Sequence, residues 1–154
     1  MTASAPHATV HASAVKIGER AVLIRGPSGS GKSRLAFELI LAASTGMIAP
    51  AELVGDDRLH LANEAGTLVV RPAETLLGLL EVRGLGIRRL PFAARAEVGL
   101  VVDLDAPDAA RMPEARSLEV EVNGVKLARI PVETGFPALP LVLAALTTNP
   151  LTVL

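Results

Sequence analysis

The sequence predicts an α/β fold in which a mixed, strand-rich sheet surrounds one glycine-rich loop and the helix that follows it. Three observations lead there. The apolar run Val22-Leu-Ile24 passes through Gly26-Pro-Ser-Gly-Ser-Gly-Lys-Ser33 into a stretch with Leu35, Ala36, Leu39 and Ile40 on one helical side. Several further segments carry the alternation and the turn residues of strands and hairpins, whereas only one other stretch, Leu141 to Leu146, reads as a helix. So many strands with so few helices argue against the regular strand–helix alternation of parallel α/β sheets.

Composition limits what is built around the loop. At 154 residues the chain is expected to form one domain over residues 9–150, after a flexible N-terminus of small and polar residues over 1–8. Half the residues are apolar, yet there are three Phe and no Trp or Tyr, so the core must be aliphatic. Fifteen basic and sixteen acidic residues give a net charge of −1, which supplies no basic field for nucleic acid or an anionic membrane. The absence of Cys excludes disulfides and thiolate metal sites. No apolar run reaches the length of a membrane span, and Met1 to Pro6 lacks a charged segment followed by an apolar one. The expected location is cytoplasmic.

The loop fits G-x-x-x-x-G-K-[ST], the Walker A pattern, at every fixed position. Gly26, Gly29 and Gly31 admit backbone conformations that turn successive N–H groups toward an anion, with Pro27, Ser28 and Ser30 at the variable positions. Lys32 adds a mobile positive charge and Ser33 a hydroxyl for magnesium, while the helix that follows aims its positive dipole end at the same place. Residues 26–33 are therefore read as a nucleotide-binding loop.

In chain order, Thr9 to Val15 suit a strand, and Lys16-Ile-Gly-Glu19 makes a short turn into the strand that delivers the loop. Those two strands should be antiparallel neighbours, which would place His11 beside the phosphate strand. The loop helix is expected from Lys32 to Ala43, ending at Ser44-Thr-Gly46. Leu53 and Val54 look like the end of a buried strand that delivers Gly55-Asp56-Asp57, and two carboxylates at a strand end need something cationic facing them. The magnesium of a nucleotide would serve. Leu59 to Asn63 and Thr67 to Arg71 form a hairpin around Glu64-Ala-Gly66.

Leu76 to Ile87 is too continuously apolar for a surface element, yet it holds Glu81 and Arg83 followed by Gly84 and Gly86. A buried pair of opposite charges beside two glycines suits a site better than a core. The alternative is an edge segment whose Glu and Arg point to water. Arg88, Arg89 and Arg95 follow and could meet an acidic partner or a phosphate. Leu100-Val-Val-Asp103 resembles the apolar run ending in Asp that carries magnesium in many P-loop proteins, so Asp103 and the Asp56/Asp57 pair both remain candidates. Ala106 to Ala115 reads as a loop, Ser117 to Val122 and Val125 to Ile130 as a hairpin around Asn123-Gly124, and Leu141 to Leu146 as a closing helix.

Taken in this order, His11, GPSGSGKS, VGDD and EVRGLGI resemble the catalytic domain of HPr kinase/phosphorylase, the bifunctional serine kinase of the bacterial phosphotransferase system. The resemblance runs from about His11 to Leu146, and the segment from Glu81 to Gly86 is far more specific than the loop. It implies a P-loop kinase fold of the phosphoenolpyruvate carboxykinase-like kind, ATP and Mg2+ as cofactors, the phosphocarrier protein HPr as partner, and a homo-oligomer, by family a hexamer. The family's loop Lys and Ser fall on Lys32 and Ser33, its base on the acceptor serine on Asp57, its magnesium-binding Glu on Glu81 with Asp56 beside the metal, and its phosphate-site His on His11. A family Arg best matches Arg111. The resemblance leaves Asp103 a structural strand end.

Three departures qualify what is carried over. The longer family form has a domain ahead of the His, so regulation through it is not expected here. The stretch AASTGMIAP lengthens the gap before Asp56-Asp57, which leaves either carboxylate open as the base. Where longer enzymes carry a Pro-Val-Arg-Pro-Gly-Arg segment linked to dephosphorylation, Pro131-Val-Glu-Thr-Gly-Phe136 lacks both arginines. The expectation is therefore an ATP- and Mg-dependent serine kinase acting on HPr with weak reverse phosphorylase activity. The reading from another class is an ATP-binding sensor or scaffold of the phosphotransferase system. Intact Asp57 and Glu81 favour the enzyme, since a binder needs only the loop.

Overall fold

The structure, a computed structural model, describes residues 8–151, so the expected loose end over residues 1–8 lies outside it except for Ala8. Ten strands and two helices follow in the order β1 (Ser13–Ile17), β2 (Arg20–Arg25), α1 (Lys32–Ser44), β3 (Ala51–Gly55), β4 (Leu59–Glu64), β5 (Thr67–Pro72), β6 (Leu79–Val82), β7 (Gly86–Arg89), β8 (Ala96–Asp103), β9 (Glu119–Val122), β10 (Val125–Pro131) and α2 (Ala138–Thr147). The main sheet has the order β3-β1-β2-β8-β10-β9. Its centre, β2, β8 and β10, is parallel, while β1, β3 and β9 run antiparallel to their neighbours. Hairpin β4–β5 joins through Val69↔Glu97 and Val70↔Ala96 at the start of β8. This is the mixed, strand-rich α/β architecture that the sequence predicts.

Strand alternation sorts the side chains into two aliphatic layers. On β2, Leu23 enters a layer with Val54, Leu59, Leu68, Val70 and Val101, closed by the β4–β5 hairpin. Its neighbours Val22 and Ile24 point the other way, against Leu35, Ala36 and Leu39 of α1, Leu80 of β6 and Val142 of α2. Burying a Leu or Ile is worth about 1.5–3 kcal/mol each, so a core without Trp or Tyr still anchors both faces.

The strand directions position the site. Ser13↔Ile24 and Ala14↔Gly55 are paired across β2, β1 and β3, and Arg25↔Asp103 and Pro131↔Asp103 across β2, β8 and β10. The start of β1 and the carboxyl ends of β2, β3, β8 and β10 therefore share one edge of the sheet. Ligands of open α/β sheets gather at such an edge.

Three local expectations are corrected. The strand expected over Thr9 to Val15 begins only at Ser13 and runs to Ile17, because Val10 pairs instead with Leu59 and the turn shrinks to Gly18-Glu19, with Gly18 at φ 63. His11 thus sits at a bend ahead of β1 rather than on a strand. The segment from Leu76 to Ile87 is not a buried run: β6 and β7 form a separate two-stranded hairpin in which Leu80 is fully buried while Glu81, Arg83, Gly84, Leu85, Gly86 and Ile87 are exposed. Glu81 and Arg83 are therefore exposed rather than a buried pair. The closing helix starts at Ala138 rather than Leu141, which is allowed because Pro140 lies in the first turn, where its missing N–H has no helical partner to lose.

Candidate active site

The Gly26–Ser33 loop leaves β2 at the ligand edge and enters α1 at Lys32, as the pattern requires. Glycine is needed at its start: a Cβ on Gly26, at φ 157, would lie 2.6 Å from Ser30 Oγ and 3.0 Å from Leu104 Cβ. Gly29 and Gly31 have φ 81 and 101, with open space where a Cβ would point. Ser30 Oγ is buried and, among the described residues, has no hydrogen-bond partner. Lys32, 7% exposed, donates to Gly26 O at 2.8 Å and Pro27 O at 3.0 Å, so its ammonium is held inside the loop it would use to meet a phosphate.

Opposite the loop, β3 ends in two adjacent carboxylates with different surroundings. Asp56 is 5% exposed and lies 2.8 Å from Ser33 Oγ through each of its oxygens. It also accepts from Ser13 Oγ at 2.6 Å and from the Glu81 N–H at 3.2 Å. A buried carboxylate is tolerable only when its lone pairs are filled this way. Asp57 takes a left-handed conformation, φ 72, which Asp adopts more readily than most residues. The chain thereby turns outward, and the Asp57 side chain is 58% exposed and hydrogen-bonded to His11 Nε2. A surface pair of this kind is worth about 0–1 kcal/mol, too little to matter for stability. What it does is fix the direction of the Asp57 carboxylate.

Asp103 plays a different part. Arg25 donates to it from Nε at 2.7 Å and from Nη2 at 2.9 Å, and Arg129 Nε at 2.5 Å. Arg129 continues to Asp108 at 2.7 and 3.0 Å and to Ser117 O at 2.8 Å. Burial acts to raise the Asp103 pKa, but the hydrogen bonds from Arg25 and Arg129 outweigh it and hold the carboxyl below the usual range. Arg129 is pushed up, first by its hydrogen bond to Asp108 and, against the opposing effect of burial, by Asp103. This ion cluster ties the ends of β2, β8 and β10 together immediately before the loop begins.

Of the residues singled out by sequence, the structure brings together Gly26 to Ser33, Asp56, Asp57, His11 and the backbone of Glu81. Arg111 is exposed in the loop after β8 and has no ion pair among the described residues. Ser13 was missed by the sequence reading. Its signal is a lone hydroxyl in the otherwise apolar run Ala12-Ser-Ala-Val15, buried at 0% exposure.

The residues fit a nucleotide with magnesium. The loop offers permissive glycines and an orphaned Ser30 hydroxyl for phosphate oxygens, and Ser33 with Asp56 forms the oxygen-lined corner in which magnesium is held in P-loop proteins. Among the described residues no three His, Asp or Glu side chains form a metal cage, and magnesium bound together with phosphates needs none.

A mixed sheet whose strand ends carry a Walker A loop, its helix and a facing buried acid defines the P-loop class of α/β proteins. The family model described as the HPr Serine kinase C-terminal domain matches residues 2–149, and the chain belongs to that family. HPr kinase/phosphorylase of Streptococcus thermophilus is 38% identical over 144 residues, and that of Streptococcus equinus 35%. Each match covers 85% of this chain and 44% of the relative, so the chain spans less than half the length of these curated relatives. Among solved structures, the Hpr(Ser) kinase/phosphatase from Coxiella burnetii matches with a TM-score of 0.69 and 26% identity, covering 90% of this chain and 93% of that one.

Proposed function

We propose that this chain is an ATP- and Mg2+-dependent serine kinase that phosphorylates the phosphocarrier protein HPr. The observation that carries the reading is the division of labour between adjacent acids. Asp56 is buried on the loop serine, while Asp57 is exposed, aimed by His11 and free to meet a protein substrate.

In this reading the loop N–H groups and Lys32 hold the β- and γ-phosphates, and Lys32 exchanges the Gly26 and Pro27 carbonyls for phosphate oxygens as it does so. Ser33 and Asp56, with the exposed Glu81 carboxylate beside them, would hold magnesium, which would neutralise charge developing on the phosphates. Asp57 accepts the proton of the acceptor serine as its oxygen bonds to the γ-phosphorus and the bond from that phosphorus to the β–γ bridging oxygen breaks. Adenosine diphosphate leaves, and the proton stays on Asp57 until solvent takes it. His11 is a positioning residue for that carboxylate. Arg111 is proposed, from the family resemblance alone, as a further catalytic residue. The similarity to proteins named HPr kinase/phosphorylase supports both the kinase and its substrate. Weak reverse phosphorylase activity is proposed as well, because Glu133 stands where longer enzymes have an arginine. Association into a hexamer and a cytoplasmic location are further proposals resting on family resemblance; the chain has no helix long and apolar enough to cross a membrane among its described residues.

The test is incubation with labelled ATP, magnesium and HPr carrying its acceptor serine. Label on HPr that disappears when the serine is replaced supports the reading. ATP binding without transfer supports the sensor or scaffold instead.

A further inference from the structure

Three polar side chains are buried among the described residues, Ser13, Lys32 and Asp56. Lys32 and Asp56 have places in the phosphate chemistry, whereas Ser13 has none. A hydroxyl at 0% exposure between Ala12 and Ala14 does no packing that a third Ala would not do, and its burial costs energy unless it is hydrogen-bonded. We propose that Ser13 is a positioning residue for Asp57. Its hydroxyl keeps the two neighbouring acids in separate orientations, Asp56 inward on the loop serine and Asp57 outward toward the acceptor. With Asp57 read as the base, Ser13 becomes the residue that holds that base from within, an assignment that rests on the proposed kinase reaction.

A serine hydroxyl has one hydrogen to donate and lone pairs with which to accept. Ser13 donates to Asp56 Oδ1 at 2.6 Å, and its oxygen accepts from the Asp57 N–H at 3.5 Å. One side chain thus addresses the carboxylate of the first acid and the backbone of the second. The bond to the Asp57 N–H is long, yet it falls on the peptide that joins the acids, where the turn at φ 72 sends the Asp57 side chain outward.

Strand pairing puts the hydroxyl there. Ser13 is opposite Ile24 on β2, two residues before the loop, and Ala14 is opposite Gly55 on β3, one residue before Asp56. Two residues ahead of Ser13, His11 meets the Asp57 carboxylate from the exposed side. The segment from His11 to Ser13 therefore holds the acid pair at three points, both carboxylates and the N–H between them. An exposed pair such as His11 with Asp57 holds a group weakly, so the direction of the base depends on the buried contact as well.

The experiment compares the whole chain with Ser13→Ala and with Ser13→Cys, which keeps a side chain of similar size but only a weak donor. The first reading needs no nucleotide and follows the imidazole nitrogen resonances. The Nε2 resonance of His11 should move in both variants, because the carboxylate it meets has shifted. The ring of His60, held at Nδ1 by Ala8 O at 3.0 Å, should not move, which shows that the variants are folded. The second reading is transfer to HPr at saturating magnesium–ATP, below the melting temperature of each variant. Here kcat should fall about ten- to a hundredfold, the scale of a misplaced reacting group, with KM for HPr little changed. A parental kcat in the folded variants overturns the role of Ser13 and leaves Asp57 as the base. A lowered kcat with an unmoved His11 resonance overturns it too, since Ser13 then acts through Asp56 alone. A moved His11 resonance in a chain that never transfers phosphate overturns the kinase reaction, while the hold of Ser13 on Asp57 stands.

Discussion

Asp56 and Ser33 face each other at 2.8 Å through both carboxylate oxygens, the buried acid at the end of β3 meeting the last residue of the phosphate loop at the start of α1. Nothing in chain order links them. The link exists because β3 and β2 run in the same direction on either side of β1, so that their carboxyl ends reach one edge of the sheet together.

Ser13 completes this arrangement from the start of β1, donating to Asp56 at 2.6 Å. Ser13→Ala leaves a buried carboxylate short of a donor, which costs about 1–3 kcal/mol. Urea unfolding should show that loss. Magnesium-dependent nucleotide affinity should fall too, because Asp56 is then freer to leave Ser33.

Lys32→Ala removes the mobile charge nearest the loop, and no other lysine or arginine of the loop replaces it. Calorimetry should find ATP binding lost or transfer abolished. Unchanged ATP affinity together with unchanged transfer would show that the hydrogen bonds of Lys32 to Gly26 and Pro27 are its whole role.

Asp103→Asn strips two guanidinium groups of their shared carboxylate in a partly buried setting and should cost about 3 kcal/mol at neutral pH. The pH dependence has a definite sign. The folded pKa is held below the unfolded one, near 4, so the stabilisation is fully present above that value and is lost as pH falls through the lower folded value. The gap in melting temperature between parent and variant should therefore be widest near neutrality and close in acid. A gap that widens on acidification would contradict the assignment.

The loop, α1, the two later hairpins and the α/β class were legible because each depends on residues close in sequence: glycine spacing, helical periodicity, Asn123-Gly124. The strand ends at Asp56 and Asp103 were legible as well, but their roles were not separable by pattern. Each is an Asp after an apolar run, and only partners far along the chain, Ser13 and Ser33 for one, Arg25 and Arg129 for the other, tell them apart. Leu76 to Ile87 misled for a different reason. Hydrophobicity without period reads as burial, whereas this hairpin buries Leu80 completely and leaves Leu85 and Ile87 each 64% exposed. Thr9 to Val15 had the alternation of a strand, yet the bridge of Val10 to Leu59 drew its first half away from β1.

Asp57, not Asp56, is the proposed base. Asp57→Asn keeps the shape of an exposed side chain and removes the charge that accepts a proton. Steady-state transfer of labelled phosphate to HPr, measured beside magnesium–ATP affinity, should show Asp57→Asn falling by at least about a hundredfold in rate with affinity nearly unchanged. Asp56→Asn should instead lose magnesium-dependent affinity through Ser33. Near-parental transfer by Asp57→Asn, with the rate lost at full affinity in Asp56→Asn, would contradict the account and make the buried acid the base.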